Sequence, residues 1–400
     1  MPARELKPGI FWIGVNDRTT DLFEGLWPIT QEGVSYNSYL VRGEKTAIID
    51  LAKSIKADEY LAQVEEVTET SKIDYIIINH MEPDHTGLLR LFRKIAPQAV
   101  ILGSAKTRDM LRGFFSITEN VRAVADGETL SLGGPTLRFL STPFLHWPET
   151  IMTFEESQKI LFSCDGFGGY GAIRGAIFDD ECAHPEFYER EALRYYANIV
   201  ANYSSRVLDA IGKAASLPVE IVAPSHGLVW RRNPQRIVEL YRKWAEYASG
   251  KTEPAVTLLY GSMYGNTERM MNAVAMGVSQ AGVPFEVFDV ARTNVSYILP
   301  SLWTNAGVMI GAPTYEVKAF PPMAEALTMA VNKRIFNRKA AFFGSYGWSG
   351  GALREVKKII EPAKWDLGET LEFIGSPKAE DLKKGEEFGR KFAESIKAGS

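Results

Sequence analysis

Short apolar runs rich in β-branched and aromatic residues recur along this chain, and each closes on turn-forming residues. Over residues 1–250 the pattern predicts strands at IFWIGV (10–15), SYLVRG (38–43), TAIIDLA (46–52), DYIIINH (74–80) and AVILGS (99–104). It continues with TLRFLSTP (136–143), KILFSCDG (159–166) and VEIVAPSH (219–226). Helical periodicity fills the intervals near 55–68, 86–95, 105–114 and 186–215. NPQRIVELYRKWAEYA (233–248) is a further amphipathic stretch, ending at Ser249-Gly250. So many strands interleaved with helices predict a layered α/β sandwich rather than a single doubly wound sheet. The polar stretch SGKTEP (249–254) reads as a linker between domains 1–250 and 251–400. Beyond it AVTLLYG (255–261), PFEVFDV (284–290), AGVMIGAP (306–313), KAAFFGSYG (339–347) and TLEFIGSP (370–377) alternate with helical stretches, the last at 379–397. That order predicts an open, doubly wound parallel sheet.

Composition narrows the function classes. The chain has 400 residues, with 45 Lys+Arg against 49 Asp+Glu, so it lacks the basic footprint that nucleic acid demands. Two cysteines, Cys164 and Cys182, are too few for a disulfide scaffold or a cysteine-ligated metal cluster. The opening MPARELKPGIFWIG has no apolar core of signal-peptide length, and no apolar run is long enough to span a bilayer. The expectation is a soluble cytoplasmic protein that binds neither membrane nor nucleic acid. Residues 1–250 are net acidic and residues 251–400 slightly basic, which by itself describes a mixed solvated surface.

Five histidines are a small stock, and four of them stand at predicted strand ends. His80-Met81-Glu82-Pro83-Asp84-His85 closes the strand DYIIINH. In an extended segment His80, Glu82 and Asp84 point one way, and His85 can turn in past Pro83. His146, Asp165 and His226 follow later strands. One such histidine reads most simply as a core or capping residue. Four potential ligands within six residues are costly unless something compensates them, and a metal is the natural compensator. Carboxylate-rich nitrogen and oxygen sets suit iron, and three carboxylates with a bridging hydroxide offset the charge of two divalent ions. His184, in CAHPEFY, reads as structural.

This arrangement resembles the metallo-β-lactamase fold, an αβ/βα sandwich, except that Glu82 stands where hydrolytic members carry a second histidine. HMEPDH with His146, Asp165 and His226 is similar to the diiron domain of the flavodiiron proteins, which include the rubredoxin:oxygen oxidoreductases. The resemblance implies that His80, Glu82 and His146 bind one iron, that Asp84, His85 and His226 bind the other, and that Asp165 bridges. It leaves His85 open, because some members hold this histidine off the metal. Tyr195 and Tyr196, in ALRYYANIV, fall near the place of a family tyrosine facing the substrate pocket. Helical core packing accounts for either equally well.

The second domain opens with Ser262-Met263-Tyr264-Gly265-Asn266-Thr267 between a strand and a helix. Small and hydroxyl residues there let backbone N–H groups and a helix N-terminus hold a phosphate without lysine. Pro313-Thr314-Tyr315-Glu316 and Ser345-Tyr346-Gly347-Trp348-Ser349-Gly350 follow the third and fourth strands, supplying aromatic faces for a flavin ring. Together the loops resemble flavodoxin, so FMN is the expected second cofactor.

The resemblance implies a flavodiiron reductase. FMN takes electrons from rubredoxin, and a diiron centre reduces O2 to water, NO to N2O, or both. The chain carries no paired CxxC motif, so the rubredoxin is expected as a separate protein, and the family pattern implies a head-to-tail homodimer or a dimer of dimers. The alternatives are a dinuclear metal hydrolase of thioesterase or lactamase type fused to a flavodoxin domain, and an electron-transfer flavoprotein with an inert front domain.

Overall fold

The structure is a computed structural model describing residues 1–399. The chain forms two compact units, Met1–Ala245 and a second beginning at Glu246. Among the described residues, no helix is long and apolar enough to cross a membrane.

The first unit contains a seven-stranded and a five-stranded sheet. In the larger, Arg4–Lys7, Ile10–Trp12, Tyr39–Arg42 and Thr46–Ile49 pair antiparallel. Ile73–Ile77, Val100–Gly103 and Val121–Ala123 then add in parallel. Parallel neighbours need crossover connections, and the helices Ala57–Val67, Leu89–Ile95 and Ala105–Phe115 provide them. The smaller sheet runs Thr129–Ser131, Thr136–Ser141, Ile151–Glu155, Ile160–Cys164 and Ile221–Pro224, the last pair parallel. Its crossover includes Pro185–Tyr195 and Ser204–Ala214. Every residue of Thr46–Ile49, Ile160–Cys164 and Ile221–Pro224 is buried, as expected for strands covered on both faces.

Asn79 and Asn37 tie the two sheets. The Ile151 amide donates to the Asn79 carbonyl at 2.9 Å, and the Thr153 hydroxyl donates to Asn79 Oδ1 at 2.8 Å. Asn37 Nδ2 donates to the carbonyls of Pro224 and Gly227, each at 2.9 Å, and so clamps the chain on both sides of His226. Buried amides with their bonding capacity engaged fix register in a way that apolar contacts do not.

Two local predictions need correction. The run IFWIGV splits into Ile10–Trp12 and Val15–Asp17, and the second piece leaves the large sheet to pair with Val34–Tyr36. Gly14 permits this crossing, since a Cβ there would come within 2.6 Å of the Tyr36 carbonyl oxygen. The strand Ile151–Glu155 was not legible as a strand because it ends on an acidic residue. Glu155 is fully buried, its carboxylate accepting from the Ser157 hydroxyl and the Gln158 amide at 2.6 Å each, which closes the hairpin turn.

The second unit is one parallel sheet in the order Phe285–Asp289, Glu253–Tyr260, Asn305–Gly311, Lys339–Tyr346, Asp366–Ile374. Numbered along the chain this is 2-1-3-4-5, with the topological switch beside the first strand. Val256, Leu258, Met309 and Phe343 pack against Met270, Val274 and Phe388 of the helices Asn266–Gln280 and Ala379–Ala398. Each such buried side chain contributes roughly 1.5–3 kcal/mol.

Candidate metal centre and flavin site

The chain beyond Ile73–Ile77 delivers the first ligands. Glu82 is extended, but Pro83 starts a single helical turn, Pro83–Thr86, that carries Asp84 and His85. Proline at the first helical position is pre-set for that turn, and the Thr86 hydroxyl donates to the Glu82 carbonyl at 2.9 Å. This corrects the expectation of one extended segment with His80, Glu82 and Asp84 on a common face. The turn sends Glu82 and Asp84 to different partners.

His146, Asp165 and His226 arrive from loops after Thr136–Ser141, Ile160–Cys164 and Ile221–Pro224. His80 and His146 place their Nε2 atoms 3.4 and 3.1 Å from Asp165 Oδ2 and 3.3 and 3.2 Å from Glu82 Oε2. His85 and His226 place theirs 3.0 and 3.3 Å from Asp165 Oδ1 and 3.4 and 3.3 Å from the Asp84 carboxylate. Two donor sets thus meet on the two oxygens of one carboxylate. Both oxygens of Asp84, Oδ1 of Asp165, Nε2 of His85 and Nε2 of His226 are buried and meet only one another, as ion pairs at 3.0–3.4 Å without hydrogen-bond geometry to any described residue. Buried ligand atoms that converge on one another in this way fit a pair of metal ions.

Electrostatics point the same way. Burial disfavours charge on the His80 ring, yet Glu149 and Glu82 outweigh it and hold its pKa well above the usual value. Burial alone would raise the Asp165 pKa, but His85, His146 and His226 drive it well below the ordinary carboxylate range. Without a metal, the imidazoles and carboxylates serve as each other's counter-ions.

Several neighbours were not legible in the sequence. His80 Nδ1 donates to Glu149 Oε1 at 2.7 Å, and His226 Nδ1 donates to the Ser35 carbonyl at 2.7 Å. The hairpin Leu22–Phe23/Trp27–Pro28 brings the Phe23 ring edge-on to His226 and to Tyr195. At its tip Glu24 has φ 51° and accepts from Trp27 Nε1 at 3.1 Å. The residue is largely open to solvent, but its carboxyl end turns inward. Burial there and the charge of Glu82 push its pKa up to about 7. Sequence offered no periodic signal for these residues, which belong to loops and short hairpins.

Tyr195 and Tyr196 separate. The Tyr195 ring lies 5.7 Å from the His226 ring, and its buried hydroxyl has no hydrogen-bond partner among the described residues. Tyr196 packs on Tyr241 and Trp244, with its hydroxyl 2.8 Å from Ser204 Oγ. Successive helical residues point about 100° apart, so only one of the pair can face the cluster. The structure assigns Tyr196 to core packing. The π-turn Tyr196–Val200 follows directly, a feature frequent at functional sites. His184 lies on the surface beside Glu186.

In the second unit a cavity of about 430 Å³ opens at the carboxyl ends of the strands. Its walls include Met263, Tyr264 and Asn266 from the first loop, Pro313, Thr314, Tyr315 and Glu316 from the second, and Ser345, Tyr346, Gly347, Trp348 and Ser349 from the third. Val317 and Gly375 line it too and were not anticipated. Ser262, Gly265, Thr267 and Gly350 are not among its walls. Ser262 Oγ accepts from the Gly265 amide at 3.0 Å and Thr267 Oγ1 lies 3.1 Å from Ser345 Oγ, so the first two shape the loop and Thr267 braces it against the third. Gly265, with φ 82°, starts the helix Asn266–Gln280, whose N-terminus suits a phosphate. Trp348 and Tyr264 stand 94% and 88% exposed at the rim, aromatic faces placed to cover a planar ring.

Comparison with known proteins agrees. The family described as ODP family beta lactamase matches residues 34–227, and the flavodoxin family matches residues 258–389. The chain is 36% identical over 394 residues to the anaerobic nitric oxide reductase flavorubredoxin of Escherichia coli strain K12, covering 97% of this chain and 81% of that protein. The solved rubredoxin oxygen:oxidoreductase from Desulfovibrio gigas superposes with a TM-score of 0.92 at 29% identity, covering 99% of both chains. The flavodiiron protein from Giardia intestinalis matches with a TM-score of 0.92 at 27% identity, covering 100% of this chain and 97% of that one. Fold and cluster together define a two-domain metalloflavoprotein with metallo-β-lactamase-like and flavodoxin-like halves. Within that class, the chain belongs to the flavodiiron protein family, whose cofactors are FMN and a non-haem diiron centre. These relatives do not favour the fused-hydrolase alternative.

Proposed function

We propose that this chain is a reductase that draws electrons from a separate rubredoxin and delivers them through FMN to a diiron centre, reducing O2 to water, NO to N2O, or both. The observation that carries the reading is the Asp165 carboxylate, whose two oxygens face separate ligand sets. On this reading His80, Glu82 and His146 hold one iron, Asp84, His85 and His226 hold the other, and Asp165 bridges. The domain 1–250 carries the irons, and 251–400 carries FMN in the three loops. When bound, FMN supplies one- and two-electron transfer and the iron pair supplies a reducible site with positions open to a diatomic molecule.

The chain's own residues prepare that site. Phe23, Tyr36, Tyr170 and Tyr195 form a buried aromatic wall around His226 that excludes water. Within it the Tyr170 and Tyr195 hydroxyls both lack a hydrogen-bond partner among the described residues, and Tyr195, whose ring lies 5.7 Å from that of His226, is the donor this reading gives to a substrate oxygen. We further propose a cytoplasmic location and a head-to-tail homodimer or dimer of dimers. The test is anaerobic turnover of the iron- and FMN-loaded chain with reduced rubredoxin, supplying O2 or NO in parallel. Flavin-dependent consumption of either gas supports the reading. Two zinc ions with thioester hydrolysis and no gas consumption would overturn it.

A further inference from the structure

The imidazoles of the cluster are backed unequally. His226 donates through Nδ1 to a neutral acceptor, the Ser35 carbonyl. His80 donates instead to the Glu149 carboxylate, whose Oε1 also accepts from the Met81 amide at 2.9 Å. His85 Nδ1 has no hydrogen-bond partner among the described residues. Glu149 is fully buried, and its second oxygen is unpartnered among the described residues. It lines a cavity of about 260 Å³ shared with Lys106, Asp126 and Ser141.

A carboxylate behind a ligating imidazole fixes the tautomer and raises the donor strength of the opposite nitrogen. Its charge also acts at short range in a low-dielectric interior. In the half of the cluster formed by His80, Glu82, His146 and Asp165, His80 has this backing. In the half formed by Asp84, His85 and His226, a carbonyl stands behind one ring, and behind the other no hydrogen-bond acceptor among the described residues, only the nearby charge of buried Asp50. Asp50, another buried carboxyl in the area, accepts from the Asn79 amide and the Ser225 hydroxyl at 2.8 and 3.4 Å rather than from an imidazole.

We propose that Glu149 is a positioning residue that makes the His80–Glu82–His146–Asp165 half the tighter and first-filled iron position, the other half filling second. The inference rests on the diiron reading above. Its test is anaerobic Fe(II) titration of the iron-stripped, FMN-loaded chain, followed by calorimetry, with Mössbauer spectra of the sample holding one equivalent of ⁵⁷Fe. The wild type should show two phases and a single iron environment at one equivalent. The isosteric variant Glu149→Gln should weaken the first phase by roughly 10- to 100-fold, with FMN content and unfolding midpoint reporting an intact fold. Asp84→Asn should weaken the second phase and leave the first. Unchanged phases in Glu149→Gln, or loss of the second phase instead of the first, would overturn the proposal. A wild type that takes up fewer than two equivalents would instead overturn the diiron reading.

Discussion

His85 Nε2 lies 3.0 Å from Asp165 Oδ1, the shortest of the four contacts that Asp165 makes with the cluster imidazoles. The ring is therefore within the cluster, at the place the family resemblance left open. Because Asp165 is shared by both donor sets, Asp165→Ala should lose both irons and all gas-reducing activity. FMN should stay bound, since its loops belong to the other unit. Elemental analysis beside the flavin absorbance checks this, and retention of both irons would remove the bridging assignment.

Tyr195 and Tyr196 should respond differently to the loss of one oxygen. Tyr195→Phe removes a hydroxyl without a hydrogen-bond partner among the described residues, so stability should hold while turnover falls. Tyr196→Phe breaks the bond to Ser204 and should cost about 1 kcal/mol of stability with turnover unchanged. Thermal melts and steady-state rates on both variants separate the two roles.

Iron loading should depend on pH. In the metal-free chain burial opposes charge on His146 and His226. Asp165 with Glu82 outweighs that opposition and pushes the His146 pKa up to about 9, and Asp165 with Asp84 pushes His226 up to about 10. A ring whose folded pKa lies above the ordinary imidazole value of about 6.5 stabilises the fold fully below that value, and the contribution is lost as pH rises through the folded pKa. The iron-free chain should thus lose melting temperature between about pH 7 and 10. Metal must also displace those protons, so uptake should release protons and tighten over the same interval. Calorimetric melts and pH-indicator titrations test both outcomes. A flat profile would contradict the pairing.

Two helices of the second unit touch through glycine. A Cβ on Gly277 would come within 1.9 Å of the Glu386 carbonyl oxygen, and one on Gly389 within 2.1 Å of that of Val274. Gly277→Ala or Gly389→Ala should therefore destabilise the unit by roughly 1–3 kcal/mol. Among the described residues, nothing beyond its own helix backbone lies within 4 Å of the Cβ position of Gly212, inside the helix Ser204–Ala214. Gly212→Ala should add up to about 1 kcal/mol. Denaturant midpoints of the three variants provide the check.

Much of the architecture was legible because periodicity reports burial. The parallel strands Ile221–Pro224 and Asn305–Gly311 are buried on both faces and read as apolar runs. Ile151–Glu155 was hidden because a buried glutamate ends it, and Val34–Tyr36 because three residues carry too little pattern. The ligand residue types and their order along the chain were likewise visible, since carboxylates and imidazoles concentrated at strand ends have no inexpensive apolar explanation.

The amino-acid sequence by itself determined which side chains are available for iron and flavin, and in what order they are delivered. The family resemblance implied how they divide, and only the tertiary structure decided the geometry that brings the division about. The single turn at Pro83–Thr86 sends Glu82 and Asp84 to different partners, and helix phase turns Tyr195 toward His226 and Tyr196 into the core. Glu149 and Ser35 come to stand behind their histidines from 69 and 191 residues away. Local spacing encodes the direction of a side chain only within one element. Contacts across such separations are set by how the two sheets close on each other, which no local pattern records.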